Sequence, residues 1–401
     1  MDHTPGSYLL LAMVNRIQRN VQYKDLPDWD REGIVLSDHT PLKRGILFSR
    51  ITPHLQADET ILVAVSGGSD SMALLLLSLP PEQHRERLIV GHIHHGTGEF
   101  ADQATALVER VCGELNVRLI VEYIEIVPDR KKEVGFEAAA RELRYAALER
   151  IAVQCNAGRL LSGHTQDDLA ETFLINAMRG AGLSGLAGLK PERGKWRRPL
   201  LGRTHEELRQ FLEAESYPFI DDPANEDEAY TRVAVRRQLG ELIREQFGAG
   251  HWANIARAAQ HLHVADQALE IEAVRLAKSV IRRRTPGWVS IDAGELGGYL
   301  SELVIRVLRR ILSLVRGCSI EDIYLDRKDR RHLLDMVRKP KTGQTIRVEG
   351  IRITDRGELE FSAFSSDTLI QLNLPGECRL PDGSRVRVDT ESVNPSEEAS
   401  V

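Results

Sequence analysis

The chain has 401 residues, enough for about two or three domains, and its 42% hydrophobic and 28% charged residues are the balance of an ordinary globular protein. Four cysteines, Cys112, Cys155, Cys318 and Cys378, lie far apart with no C-x-x-C pair, which argues against a disulfide framework, a zinc ribbon or a thiol relay and fits a reducing, cytoplasmic setting. The net charge of −6 does not mark the whole chain as a nucleic-acid binder, but residues 271–350 hold 17 Lys and Arg against 10 Asp and Glu. That segment carries Arg282-Arg283-Arg284, Arg327-Lys328, Arg330-Arg331 and Arg338-Lys339. Each cluster alone reads as a solvated helix surface, whereas a basic segment on an acidic chain suits a phosphate backbone. No apolar run approaches the roughly 20 residues of a membrane span, and Tyr8 to Val14 follows Asp2 rather than a basic stretch, unlike a signal peptide.

Residues 1–57 are poorly patterned, broken by Pro27, Asp28 and Asp30, and read as an N-terminal extension whose order the pattern does not define. Residues 58–240 alternate, with strands predicted at 61–65, 87–93, 118–125 and 159–163 and helices at 71–79, 101–115, 137–155 and 168–179. The alternation predicts an α/β fold, a parallel sheet covered on both faces. Ligands in such folds sit beyond the carboxyl ends of the strands, so the loops after Val65, Ile93 and Gly163 converge on one crevice. Residues 241–342 read as a helical domain, in which Leu300, Leu303, Val304, Val307, Leu308, Ile311 and Leu312 form a core-facing stripe behind the break at Pro286-Gly287. Residues 343–401 read as a small β-containing region ending in a disordered tail.

Chemistry concentrates after the first strand, at Ser66-Gly67-Gly68-Ser69-Asp70-Ser71. Two glycines let backbone approach an anion, and the following helix presents unpaired N–H groups to it. Asp70 is a carboxylate in a phosphate cradle, which requires a cation between the two charges. The loop therefore suits a metal-bound nucleotide. It is neither a Walker A loop nor a three-glycine dinucleotide fingerprint. Ser-Gly-Gly-x-Asp-Ser after a strand resembles the PP-loop of the N-type ATP pyrophosphatases, which split ATP between its α- and β-phosphates and pass the adenylyl group to an oxygen.

Further motifs line the same crevice. His92-Ile93-His94-His95-Gly96 ends the second strand, with His92 and His94 on one face. Without partnered ligand spacing it reads as polar lining of a nucleotide site rather than a metal centre. The helix from Glu137 through Arg141 to Tyr145 places Arg141 either toward the crevice or in an i,i−4 pair with Glu137. In Ser162-Gly163-His164-Thr165-Gln166-Asp167-Asp168-Leu169-Ala170-Glu171-Thr172, Asp168 and Glu171 share a helix face suited to Mg²⁺ or an ammonium group. His164 is placed for phosphate contact or proton transfer, and Asp167, off that face, is assigned the helix cap. Arg179 ends that helix before a glycine loop, and Thr204 with Glu207 form a capping-box pattern after Arg198-Pro199-Leu200-Leu201.

Taken in order, the PP-loop at 66–71, His-x-x-His-Gly at 92–96, Ala-Ala-Arg at 139–141, Gly-His-x-x-Asp-Asp-x-x-Glu-Thr at 163–172, Arg-Gly-x-Gly-x-x-Gly-Leu at 179–186, Arg-Pro-Leu-Leu at 198–201, Asp-Pro-x-Asn at 222–225 and the spaced Arg232 and Arg236 resemble the tRNA(Ile)-lysidine synthase family. The resemblance implies ligation of free L-lysine to C2 of the wobble cytidine of the CAU-anticodon isoleucine tRNA, with ATP as substrate and Mg²⁺ as cofactor. It implies catalytic roles for Asp70, Arg141, His164, Asp168 and Glu171, and nucleotide contacts from Ser66, Gly67, Gly68, Ser69, Asp70, Ser71 and His92. Mg²⁺ falls to Asp70, Asp168 and Glu171, and tRNA to Arg179, Arg198, Arg232, Arg236, Arg283 and Arg331, the last two in the helical domain. A homodimer is compatible with it. Thr97-Gly98 stand where the family continues Leu-Arg, and the family's last domain, begun near Leu372, stops early.

Overall fold

The computed structural model describes residues 32–94, 96, 98–124, 136–221 and 231–339, and the strand segments 345–346, 351–353, 358–362, 376–379 and 385–388. Residues 1–31, His95, Thr97 and the Asp222 to Asn225 element lie outside the described residues. The chain forms two compact units, Met1–Asp266 and Gln267–Val401. They divide inside the helix α10 (Ala249–Val280), while residue 240 marks only where the alternation of strands and helices ends.

The first unit is built on a six-stranded sheet of order β3-β2-β1-β4-β6-β5. Its strands are β1 (Thr60–Ala64), β2 (Leu88–His94), β3 (Arg118–Tyr123), β4 (Ala157–Leu161), β5 (Glu192–Arg193) and β6 (Trp196–Arg197). All neighbours run parallel except β5, which lies antiparallel to β6. The four predicted strands fall within about three residues of these bounds. β1 is a run of β-branched residues because both of its faces are buried. Ile61 and Val63 enter a core with the helices α1 (Ile46–Ile51), α2 (Ser69–Leu77) and α3 (Gly98–Glu114). Leu62 enters the opposite core with α4 (Phe136–Gln154). α2 is apolar on every side because it is enclosed: Met72 through Leu77 are all at most 1% exposed. The order reverses between β1 and β4, and that switch point opens the crevice.

Half of the supposed N-terminal extension belongs to this unit. Ile34, Leu36, Leu47, Phe48 and Ile51 are core residues, in a loop and a short helix that show no long periodicity in sequence. Glu32 pins the segment to the sheet. Its carboxylate accepts from Arg159 Nη2 and Arg197 Nη2, each at 2.7 Å, and from both Nε atoms at 3.1 and 2.8 Å. Burial opposes its ionisation, but the two guanidiniums overcome this and hold its pKa near about 2, below the ordinary 4.5. A depressed carboxylate contributes stability that is present above pH 4.5 and lost as pH falls toward about 2. In an acid titration followed by circular dichroism, Glu32→Gln is therefore less stable than wild type at pH 7, and the difference closes across that window. A constant difference through acid would show that the pair does not titrate with folding.

α5 (Gln166–Met178), α6 (Leu183–Leu186) and α7 (His205–Ala214) complete the layer around the switch point. Thr204 caps α7 and exchanges bonds with Glu207, the capping box expected from sequence. Beyond the next undescribed stretch, α8 (Thr231–Ala234) passes into a π-helical turn, Val235–Gly240, and then into α9 (Glu241–Phe247). Gly248, at φ 97°, breaks the chain before α10.

The second unit departs from the helical expectation where α10 ends at Val280. β7 (Ile281–Thr285) and β8 (Trp288–Asp292) form an antiparallel hairpin that turns at Pro286-Gly287, with Gly287 at φ 75°. Arg282, Arg283 and Arg284 thus lie on a strand, not on a helix surface. Its three central arginines are all exposed, so no alternation marks it as a strand. The hairpin joins β9 (Thr345–Ile346), β10 (Ile351–Ile353) and β11 (Glu358–Ser362) in a sheet of order β7-β8-β11-β10-β9. β12 (Gly376–Arg379) pairs with β13 (Arg385–Val388). After the short α11 (Ala293–Gly297), α12 (Ser301–Arg316) buries Leu303, Val304, Val307, Leu308, Ile311 and Leu312 as its spacing predicts. Leu300, counted in that stripe, is instead the 53%-exposed residue before the first turn. α13 (Arg327–Arg338) follows. No helix among the described residues is long and apolar enough to cross a membrane.

Candidate active site

The site starts with the turn from β1 into α2. Gly67 takes φ 95°, and its carbonyl accepts from the Ile220 amide at 3.0 Å. Ser71 closes the turn on itself: its hydroxyl donates to the Gly68 carbonyl at 2.9 Å and accepts from the Ser66 amide at 3.1 Å. The cradle is thus shaped by its own serines, with Ser69 opening α2 and Gly68 before it in extended conformation. The β4–α5 turn presses on it from the side. A side-chain carbon on Gly163 would meet the backbone of Asp70 and Ser71 at 3.2 Å, so glycine allows this approach.

That approach brings Asp70 and Asp168 together, and adds His205 from the first turn of α7. Ligand atoms of these three residues all lie within 4.8 Å of one another, and they are the one such group among the described residues. His205 Nδ1 is 2.7 Å from Asp70 Oδ2. Asp70 Oδ1 is buried and has no hydrogen-bond partner. Burial pushes the Asp70 carboxyl up, against the pull of His205. Burial alone would depress His205, but Asp70 outweighs it and raises the imidazole to about 9.

Asp168 has a second function in the fold. Its Oδ2 accepts from the Thr165 amide at 2.8 Å and the Thr165 hydroxyl at 3.0 Å, completing a capping box on α5. The cap assigned to Asp167 therefore belongs to Thr165 and Asp168. Asp167 turns away, accepting from Trp252 Nε1 at 2.9 Å and from the His205 amide at 2.8 Å. Burial opposes ionisation of Asp168, yet His205, His164, Arg232 and the Thr165 N–H hold it well below the usual carboxylate range.

Glu171 shares the helix face of Asp168 but meets arginines. It is 0% exposed, with Arg236 Nε at 2.5 Å and Arg232 Nε at 3.4 Å, and it is not in the Asp70–Asp168–His205 group. Burial, reinforced by Asp168, pushes its carboxyl up against those two guanidiniums. His164 donates to or accepts from Ser162 Oγ at 3.0 Å, and burial, with Arg198, Arg141 and Arg232 nearby, keeps its imidazole neutral. His92 is a bracing residue: its ring nitrogens meet the Val65 carbonyl at 2.8 Å and Thr105 Oγ1 at 2.9 Å, tying β1 to α3. His94 faces the same helix, 3.0 Å from Asp102, so the two histidines share a face as expected.

The PP-loop domain family matches residues 45–243 of this chain. A tRNA(Ile)-lysidine synthase from Leifsonia xyli is 33% identical over 301 residues, 74% of this chain and 85% of that protein. The chain belongs to the tRNA(Ile)-lysidine synthase family. Another member, from Zymomonas mobilis, is 35% identical over 284 residues, 67% of this chain and 77% of its own. Among solved structures, the U34-tRNA thiolase NcsA from Methanococcus maripaludis is 18% identical with a TM-score of 0.43, over 52% of this chain and 74% of that one.

The arginines that resemblance to the lysidine synthases marks for tRNA take different positions. Arg179 and Arg331 are exposed. Arg283 is exposed and lies over the Trp288 ring at 5.3 Å. Arg232 and Arg236 instead hold Glu171, and Arg232 also donates to Thr172 Oγ1 at 2.7 Å. Arg198 is 5% exposed and donates to the Lys190 carbonyl at 2.6 Å, a wall residue rather than a surface cation. Arg141 pairs forward with Tyr145, and the Glu137 side chain lies outside the described residues. Sequence reasoning missed His205. Its one signal is its place at the start of a helix after Arg-Pro-Leu-Leu, and only the sheet order brings that helix to Asp70.

Proposed function

We propose that this chain is a ligase that joins free L-lysine to C2 of the wobble cytidine, position 34, of the CAU-anticodon isoleucine tRNA, consuming ATP and releasing AMP and pyrophosphate. The observation that carries the reading is the meeting of Asp70 and Asp168 beside a serine-closed phosphate cradle, in a member of the lysidine synthase family. Cytidine O2 would attack the α-phosphate and expel pyrophosphate, and the ε-amine of lysine would then attack C2 and expel AMP. The target base must leave the anticodon stack to reach the crevice, which costs little in a loop.

Ser66 to Ser71 would hold the β- and γ-phosphates. Asp70 and Asp168 would hold Mg²⁺, for which carboxylate oxygens are the preferred donors and for which the unpartnered Asp70 Oδ1 leaves a position. The ion would neutralise triphosphate charge. Glu171, enclosed and held by Arg232 and Arg236, would fix those two guanidiniums where they line the crevice. Arg141 would donate to the adenylyl phosphate. His164, being neutral, suits hydrogen bonding to base or phosphate better than proton uptake. Exposed Arg179, Arg283 and Arg331 would meet the tRNA backbone, with salt-sensitive affinity. The setting would be the cytoplasm. The four dispersed cysteines disfavour a thiolase, which pairs cysteines for a cluster or sulfur relay.

Radiolabelled lysine tests the reading. With ATP and a CAU-anticodon transcript, the purified chain incorporates one lysine per AMP and pyrophosphate released. ATP consumption without lysine transfer would falsify the assignment, and tRNA binding without pyrophosphate release would make the chain a silent binder.

A further inference from the structure

Arg141, Tyr145 and Glu149 follow one another at i, i+4 and i+8 on α4, one row of one helix face. That row packs on alternate residues of the adjoining strand end, Trp196 and Arg198, while Arg197 between them turns the other way to Glu32. The Tyr145 and Trp196 rings lie 4.5 Å apart, and Trp196 Nε1 donates to Glu149 Oε1 at 2.9 Å, so the phenol is clamped from behind. In front of it stands Arg141, its guanidinium carbon 5.2 Å from the ring centre and its Nη2 donating to Tyr145 Oη at 3.3 Å. Arg198, on the same strand end, donates instead to the Lys190 carbonyl at 2.6 Å, and its Nε is buried with no hydrogen-bond partner. Both guanidiniums bear on His164.

We propose that Tyr145 is a positioning residue of the ligation: its hydroxyl accepts from Arg141, its ring lies under that guanidinium, and together they keep Arg141 aimed at the crevice. The inference rests on the function proposed above. A phenol oxygen accepts readily from a guanidinium N–H, and the ring face beneath adds a second attraction for the cation. Arg141, partly exposed, would otherwise sample several rotamers and lose the fixed geometry that makes a donor effective on a developing phosphate charge.

The test is a double-mutant cycle on the full chain, read as tRNA-dependent pyrophosphate release under single turnover. Tyr145→Phe keeps the ring against Trp196 and removes only the hydroxyl. It slows release about tenfold, the scale of one charged hydrogen bond, with KM for ATP and tRNA changed less than about threefold. In an Arg141→Ala background the same change costs less than about twofold, because its target is already gone. Three results overturn the proposal: a wild-type rate in Tyr145→Phe, an undiminished loss in the Arg141→Ala background, or a thermal midpoint that falls in step with the rate. Wild-type chain that makes no lysidine would instead refute the function and leave the geometry of Tyr145 untouched.

Discussion

Asp70→Ala eliminates pyrophosphate release, by at least about a thousandfold, while the Kd for tRNA stays within about twofold. Asp70 faces both the phosphate cradle and the second carboxylate, Asp168. Its loss also leaves the raised His205 charge without its 2.7 Å partner. Asp70→Asn separates the two effects. It keeps a hydrogen-bond acceptor for His205 but removes the charge a cation needs, so it falls to the same low rate with less disturbance of the α7 terminus. Filter binding supplies the affinity and a coupled pyrophosphatase assay the rate. A residual rate within tenfold of wild type in either variant would remove Asp70 from the chemistry.

Arg236→Ala costs about 1–3 kcal/mol of unfolding free energy, because it takes the nearer partner from an enclosed carboxylate. Glu171 is 0% exposed, and with Arg236 gone only Arg232, at 3.4 Å, still faces it. Replacing both partners, as Arg236→Met with Glu171→Leu, returns most of that stability, since apolar residues of similar volume carry no desolvation penalty. The double variant stays inactive if Glu171 shapes the crevice chemistry as proposed. Urea denaturation with the lysine assay reads both properties. An Arg236→Ala midpoint equal to wild type would show that the pair is screened by water.

The parallel sheet was legible because β1 and α2 are enclosed, and enclosure writes itself as unbroken apolar runs such as Ile61 to Val65 and Met72 to Leu77. Glycine-rich turns at strand ends then located the crevice. What escaped has common causes. β7 carries three consecutive exposed arginines with no period-2 alternation, so its sequence imitates a charged helix surface. The segment 34–51 is held by burial and by Glu32 rather than by periodicity, and its arginine partners lie far along the chain. Asp167 and Asp168 are adjacent, and their roles separated only when Trp252 and Thr165 were found on opposite sides. His205 lies far from Asp70 in sequence, and no local pattern announces a contact made by sheet order.

The π-helical turn at Val235–Gly240 sets the phase of α9 behind it, up to the break at Gly248. Arg232 and Arg236, before and within the turn, serve Glu171, whereas Arg244 and Trp252, after it, serve Asp167 on the same helix α5. One additional residue per turn is what a π turn amounts to, and each residue advances an α-helix by about 100°. Deleting a single residue between 235 and 240 would therefore leave composition almost unchanged yet rotate Arg244 away from Asp167 by about that angle. The expected loss comes from the angle at which Arg244 meets α5, not from removal of any one side chain.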